Sequence, residues 1–584
     1  MSGPSLDSIV ALLEERKRAQ SPVISRMQKL RDAYNGDIII PLPEMDKSEA
    51  SAVANLIATG LDQSAMRIAS TYPNCFYPAL EPGNNASEKR ANTRRRATLG
   101  WWEANKLPLK LRRRARLMIG YASSPVVLRP DPKRGIAKWE VRNPLSTFVA
   151  PTEDPDEMCP PDAIFTFKRG YRWLQENYPE QMGKLNKRAN ADPNTMFELL
   201  EYMDGDILVT AVIGEQVTPG LSSGASYVEL ERVPNRTGMN LAVVPGRITL
   251  DRAMGQFDGL VGMYQLQAKL MALEVIAVER GIFPDTYLVS RPGESAKFIS
   301  GPYDGRTGMV NIIQGGEIRE AGMGQGTAAN ATIDRLERNM RITSGTPAEF
   351  GGESTSNIRT GKRGDAILSA VVDFPVQEAQ EILAASLVEE NKRAIAIAKS
   401  YFGNQRRSFY VSQGKVKGHV DYIPNKDFET DANTVTYAYA GADANALVVG
   451  LGQRVGIGTM SKRTAQEIDP LISDPEVEHD RTVSESLEAA LLSSVQTQAA
   501  QGAIPPADLA KIMKLVVSDK MDLASAVEKV QKEAQERQAT PAPMGAPETM
   551  PGLAMPGMGA EQPVEQAQGP APSLDQLLGA LGGQ

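Results

Sequence analysis

Along residues 253–280, Leu260, Met263, Leu266, Leu270, Leu273 and Ile276 recur at steps of three and four, the period of one face of a long α-helix. About 28 residues at ~1.5 Å each make a rod of ~42 Å, and it breaks at Gly281 and Pro284. Strand-like pieces follow at 286–290, 296–299 and 309–313, separated by Pro292-Gly293 and Gly301-Pro302, and a helix is predicted again over 328–343. Helix, small β module, helix is the unit around which the remaining elements must be arranged.

Upstream, Ile9, Leu12 and Leu13 predict an amphipathic helix over 6–19 that Pro22 ends or kinks, and a second helix covers 26–34, stopping at Asn35-Gly36. A third runs from about residue 47 to 70, with Val53, Leu56, Ile57 and Leu61 as its apolar stripe. Residues 86–116 hold eleven Lys or Arg against Glu88 and Glu103, with Arg94-Arg95-Arg96 and Arg112-Arg113-Arg114 flanking Trp101-Trp102. Such a stripe either binds phosphates or is a solvated or subunit-pairing helical face anchored by the tryptophans. Between 121 and 171, pieces rich in β-formers (125–128, 138–141, 163–167) alternate with Pro and Gly and predict a small mixed sheet. Further strands are expected at 197–202, 207–212 and 227–233.

Downstream of the second long helix, residues 344–354 and the polar, basic stretch 355–364 read as a mobile loop. Pro375 suits the first turn of a long helix reaching about Phe402, with Val376, Ala379, Leu383, Leu387, Ala394 and Ala398 along one side. Strands are expected at 408–412, 419–423 and 434–440, then helices at 444–455, 462–468, 476–501 and 506–537. Beyond Gln538 eight prolines and few core-forming residues predict a disordered tail. Near its end Ser573-Leu574-Asp575-Gln576-Leu577-Leu578 has the form of a short docking helix.

Composition excludes several classes. Apolar residues make up 41% and charged residues 23% of 584, the proportions of a soluble globular chain. No segment approaches the ~18 consecutive apolar residues of a spanning helix, and the N-terminus has no signal-peptide pattern, so no membrane role is expected. Cys75 and Cys159 are too few and too far apart for a disulfide scaffold or a zinc site. Two histidines, His419 and His479, leave little material for His-dependent triads or metal centres. Gly361-Lys362 and Gly414-Lys415 have Ser356 and Phe409 where a phosphate loop needs its first glycine. Gly322-Met-Gly324-Gln-Gly326 has Thr327 and Ala329 where a dinucleotide-binding turn needs its third. Neither an enzyme nor a cofactor is expected, and no metal. The formal net charge of −7 rules out a chain that clamps nucleic acid over its whole surface.

The order of these elements resembles the portal protein of tailed double-stranded DNA bacteriophages. The pieces that carry the resemblance are Tyr34-Asn35-Gly36-Asp37 after the first helical region; Asn55-Leu56-Ile57; the helix, β module, helix unit; and Ser344-Gly345-Thr346-Pro347-Ala348-Glu349-Phe350-Gly351-Gly352 before a polar loop and long helix. It covers most of residues 25–500. The resemblance implies an α+β portal fold assembled as a homododecameric ring at one capsid vertex, through which DNA is packaged and ejected. Residues 1–250 would be the N-terminal part of the wing, 251–282 the first stem helix, 283–322 the clip and 323–345 the second stem helix. Residues 346–365 would hold the tunnel loop, 366–455 the C-terminal part of the wing, 456–537 a helical crown and 538–584 the disordered Pro/Met/Gln-rich tail.

On that resemblance Arg359, Lys362 and Arg363, with Arg335, Arg338 and Arg341 on the second stem helix, are candidates to face DNA in the channel. The spacing of Arg335, Arg338 and Arg341 equally suits pairing with Glu337 or with a neighbouring subunit. Arg291, Lys297, Asp304 and Arg306 are candidates for partner contacts at the clip. The implied partners are other copies of the chain, double-stranded DNA, the large terminase that supplies the ATPase, the major capsid protein, a head-tail adaptor and a scaffolding protein. The implied location is the virion, after assembly in the host cytoplasm. A metal-dependent nucleic-acid enzyme and another virion structural protein are the competing readings of the same composition.

Overall fold

The computed structural model describes residues 3–38, 55–154, 156–185, 195–216, 227–249, 252–282, 285–295, 297–298, 313–321, 327–344, 374–411, 416, 418–437, 444–469, 472, 475–501, 505–517, 525–530 and 532–533. The chain divides into two units, residues 1–482 and 483–584.

In the first unit α1 (Leu6–Asn35) starts at Ser5, whose Oγ accepts the Ser8 N–H, and runs unbroken through Pro22. The expected break at Pro22 and the separate second helix are therefore corrected to one helix. Pro22 is exposed, so water serves the carbonyl that lost its donor. Buried anchors on both sides, Ile9, Val10 and Leu13 before it and Met27, Leu30 and Ala33 after it, hold the two halves in line. Gly36 ends α1 at φ 81°, with its N–H on Ala33 O and the Asp37 N–H on Asp32 O, a cap that favours glycine. Asn55 then does two jobs. Its Oδ1 caps α2 (Leu56–Ser70) through the Ala58 N–H, and its Nδ2 donates to the carbonyls of Ala33 and Tyr34 at 2.8 and 3.0 Å. This gives two of the short sequence pieces singled out above a shared mechanical role, joining the end of α1 to the start of α2. The helix start expected near residue 47 falls outside the described residues.

Strand β1 (Asn74–Phe76) leads into α3 (Asn85–Ala104) and α4 (Leu107–Tyr121). Hairpin β2–β3 (Val126–Asp131, Ile136–Val141) follows, and then a five-stranded antiparallel meander: β4 (Thr147–Val149), β5 (Ala163–Gly170), β6 (Met196–Met203), β7 (Ile207–Gln216) and β8 (Val228–Pro234). Short α5 (Tyr171–Asn177) lies between β5 and β6, and β9 (Ala242–Val243) adds to the other edge of β2. The expected mixed sheet is thus two antiparallel ones. The start of α1 seals one face of the meander with Ile9, Val10 and Leu13 on Phe148, Ile164, Leu200, Tyr202 and Val209. Alternate residues of the same strands, such as Phe197, Leu199 and Val212, pack with Leu174 of α5 on the other face, as the period of two requires.

The long excursion consists of α6 (Val261–Ile282), β10 (Asp285–Ser290), β11 (Lys297–Phe298), β12 (Ile313–Gln314), β13 (Gly316–Ala321) and α7 (Thr327–Ser344). It is followed by α8 (Phe374–Ile397), which closes in a π turn over Ala398–Phe402. Hairpin β14–β15 (Arg407–Val411, Gly418–Tyr422) and β16 (Thr434–Thr436) follow, and β16 pairs antiparallel with the distant β1. Residues from both ends of this unit share one core, in which Trp101, Trp102 and Trp139 lie beside Phe402, Tyr422 and Phe428. Helices Ala444–Gly456 and Lys462–Ile468 follow.

Helix Pro475–Ala500 carries the chain across residue 482. Within the second unit, helix Pro506–Val517 and residues 525–530 pack through Ile512, Ala526 and Val530.

Candidate functional site: the helix, hairpin, helix excursion and the basic helices

The excursion leaves and re-enters the first unit at one place. Phe257, Leu260 and Tyr264 at its departure, Met340 near its return and Val376, Ala379 and Leu383 beyond share a single apolar cluster with α1, α2 and α4. Just before the departure the backbone is fixed tightly. The Gln256 N–H donates to Ile119 O, the Gly255 N–H donates to Asp258 Oδ2, and a Cβ at Gly255 would lie 2.0 Å from Gly120 O. Only glycine fits that approach. Arg26 of α1 pairs with Asp258 at 3.0 Å and ties the first helix to the same point.

The β module is a pair of nested antiparallel ladders, β10 on β13 over six residues and β11 on β12 over two. Gly315 connects the ladders at φ 76°, and its O accepts the Arg291 N–H. Strand β13 had no counterpart in the sequence reading, because Gly316-Glu-Ile-Arg-Glu-Ala321 alternates only weakly. The strand expected at 309–313 is represented by Ile313–Gln314, its remainder lying outside the described residues.

Helix α6 turns an unexpected face to the body. Tyr264, Gln267, Ala268 and Ala272 are buried, whereas Leu266, Leu273 and Val275 are 48, 44 and 50% exposed. Met263 and Leu270 between them are half-buried. Of the apolar stripe read from the sequence, Leu260 is thus buried while Leu266 and Leu273 face outward on the single chain. Small alanines let α6 approach its neighbours closely, a preference that a reading weighted by hydrophobicity cannot see.

Of the channel candidates, Arg335 and Arg338 are exposed on α7, three residues apart. Arg341 is half-buried and pairs with Glu337 at 2.7 Å, the alternative that the i,i+4 spacing offers. Arg359, Lys362 and Arg363 lie outside the described residues. Of the clip candidates, Arg291 and Lys297 are exposed on the same β module, and Asp304 and Arg306 lie outside the described residues.

The basic stretch 86–116 is neither simply solvated nor uniformly available. Arg90 pairs with Glu429, Arg95 with Glu467 and Arg116 with Asp62. Arg94 is buried, donating to the carbonyls of Pro78 and Asp427. Arg114 is buried on Glu390 of α8 at 2.7 Å, with Ser386 and Ser124 also accepting from it. Trp139 Nε1 donates to the same carboxylate at 2.9 Å, and Trp102 Nε1 donates to Asn391 Oδ1. This polar row on α8 was missed because its residues sit in a helix read only for its apolar side. The cations left toward solvent on α4 are Lys106, Arg112 and Arg113, with half-buried Lys110 among them. Burial, and then Lys138 and Arg134 against the opposing pull of Glu140, bring the Lys110 pKa down to about 8. Among the described residues no group of His, Cys, Asp and Glu has the geometry to hold a metal, and no helix is long and apolar enough to cross a membrane.

The geometry defines a mixed helix-and-sheet chain whose first unit sends out a helix, nested hairpin, helix excursion. No family model matches the sequence, and no curated protein matches it. Among solved structures the chain is similar to a chain of the virion of a native gene transfer agent particle, at 9% identity over 75% of this chain and 90% of that one, with a TM-score of 0.37. It is also similar to a chain of the neck of a native gene transfer agent particle computed with C12 symmetry, at 9% identity over 71% and 89%, with a TM-score of 0.32.

Proposed function

We propose that this chain is the portal subunit of a tailed double-stranded DNA bacteriophage, a virion protein that assembles as a ring at one capsid vertex and passes DNA through its centre. The observation that carries the reading is the excursion. A long helix goes out, turns through nested hairpins and returns as a second helix to the cluster it left, and it carries Leu266, Leu273 and Val275 uncovered on the outgoing arm. Leu266 and Leu273, seven residues apart, share one face of that helix, an exposed apolar strip that calls for a covering surface, and a neighbouring copy in a ring supplies one. In this reading 251–282 and 323–345 are the stem, 283–322 the clip and 346–365 the tunnel loop, with 1–250 and 366–455 forming the wing and 456–537 the crown.

The subunit is passive in this scheme. The free energy of translocation comes from a separate terminase ATPase docked at the clip, where Arg291 and Lys297 offer polar contacts, and a head-tail adaptor takes that place after packaging. A conduit must not hold its cargo, since each neutralised phosphate adds salt-dependent affinity. A net charge of −7 with a few cations near the passage, Arg335 and Arg338 among them, suits sliding. Negative-stain electron microscopy with mass by light scattering tests the reading. Rings with a central hole and a mass near twelve subunits are expected, whereas a monodisperse monomer or dimer at all salt and protein concentrations overturns it.

A further inference from the structure

The junction between α3 and α4 is unusually well fixed for a surface that bears so much charge. Asn105, buried, donates to Trp101 O and Ala137 O at 2.9 Å each, and its Oδ1 accepts the Trp139 N–H at 3.1 Å. Lys110 Nζ donates to Trp139 O, and Arg134 Nη1 donates to Ala104 O at 3.3 Å. Four of these five hydrogen bonds lock the junction to the β2–β3 hairpin. Lys106 stands at φ 55°, one of two non-glycine residues with positive φ among the described residues, a conformation that persists only where the surroundings impose it. On this frame Lys106 stands at the N-cap of α4, Lys110 and Arg113 lie three residues apart within it, and Lys133, Arg134 and Lys138 line the adjoining hairpin.

The acidic groups nearby neutralise these cations only in part. Lys138 pairs with Glu140 at 2.7 Å, which Arg142 and Arg129 also approach at 3.0 and 3.7 Å while both also pair with Glu201. Asp131 Oδ1 is held by the Lys133 and Arg134 backbone N–H groups, and its other oxygen lies 3.9 Å from Arg134 Nε. Mutual repulsion contributes to the lowered pKa of Lys110, the condition an arriving anion relieves.

We propose that this junction is a phosphate-binding platform for double-stranded nucleic acid, engaging the backbone through charge and not the bases. The run from Lys106 to Arg113 covers ~10 Å, the axial rise of about three nucleotides of one strand at ~3.4 Å each, so it matches a row of phosphates better than a single anion. Trp101, Trp102 and Trp139 are all buried, which leaves none of these rings for stacking on bases. The platform lies outside residues 251–365, to which the portal reading assigns the passage, and its test does not depend on that reading.

Fluorescence anisotropy of a labelled 30-base-pair duplex with the full chain, titrated between 50 and 200 mM salt, is the measurement. Lys106→Gly/Arg113→Gln/Lys138→Gln removes three cations, and glycine is at ease at the Lys106 φ. It is expected to lower affinity by about tenfold or more and to reduce the slope of log K on log salt by roughly 2–3, at ~0.9 per phosphate contact. Arg18→Gln/Lys29→Gln/Arg172→Gln removes the same charge from exposed positions elsewhere and is expected to leave the slope unchanged. Equal effects of the two triples, or none from the first, overturn the proposal. Displacement of the duplex by millimolar inorganic phosphate at constant ionic strength also overturns it, by assigning the platform to small phosphates. Lys106→Gly alone, expected to weaken binding without lowering the melting temperature, keeps the test valid if the triple variant folds poorly.

Discussion

Arg114 and Glu390 meet with side chains 1% and 0% exposed, and they show how a residue read as one charge in a basic run becomes a structural member. Two ions taken from water cost several kcal/mol each, and the pair is tolerable only if its remaining donors and acceptors are met. Here they are. Ser386 donates to Glu390 Oε1 at 2.7 Å, Trp139 Nε1 donates to Oε2, and Arg114 serves both carboxylate oxygens and Ser386. The network joins α4 and β3 to α8, more than 250 residues further along the chain. Arg114→Ala leaves the Glu390 carboxylate buried without its counter-charge, and it is expected to cost about 3–5 kcal/mol. Replacing both with methionine is expected to recover part of that loss, since no lone charge remains. Urea unfolding of the two variants checks this, and a loss under ~1 kcal/mol for Arg114→Ala would show that the pair holds nothing together.

At the scale of elements, period and punctuation were legible and orientation was not. The span of α7, the strands β5 to β8 and helix Lys462–Ile468 follow from spacing and from Pro and Gly, since these are local properties of the chain. The single α1 was not legible, because whether a proline breaks a helix depends on anchors on both sides of it. For the candidate site, pairing with Glu337 was readable as an alternative for the arginines of α7, whereas that Arg341 takes it and Arg335 and Arg338 stay exposed was not. The inward and outward faces of α6 were not readable, since burial of Ala268 and Ala272 in place of Leu266 and Leu273 is decided by how closely neighbouring helices approach. That face carries its own prediction. Leu266→Lys/Leu273→Lys places two charges where a neighbouring copy would lie and removes nothing from the core of the single chain. The variant is expected to keep its far-ultraviolet circular dichroism and melting temperature while its mass by light scattering falls from that of the ring proposed above to a single chain. Rings that persist would show that subunits meet elsewhere.

For the molecule as a whole, the weak point is alkaline pH. Burial pushes the Cys75 thiol up to about 12 and the Cys159 thiol to about 11, from an ordinary value of 9.0. Burial also raises the phenol of Tyr422 to about 12, and those of Tyr72, Tyr77, Tyr202 and Tyr437 rise in the same direction from 10.0. Each group holds its proton more tightly folded than unfolded. The stability it contributes is complete below pH ~9 and is lost as the pH climbs through the folded values, because the unfolded chain then releases protons that the folded chain keeps. Lys110 acts in the opposite sense. Its pKa of about 8 against an ordinary 10.5 penalises the folded state while the amine must stay charged, and that penalty fades between pH 8 and 10.5. One half-exposed amine does not outweigh two thiols and several phenols, so the denaturant midpoint is expected to change little from pH 8 to 9 and then to fall steeply toward pH 12. Tyrosinate absorbance at 295 nm should rise for the buried phenols together with the loss of near-ultraviolet circular dichroism. Cys75→Ala should flatten the fall by up to about one proton in the slope. A smooth titration of all the phenols near pH 10 with the fold intact would mean that these groups are reached by water, contrary to the packing around Trp101 and Trp102.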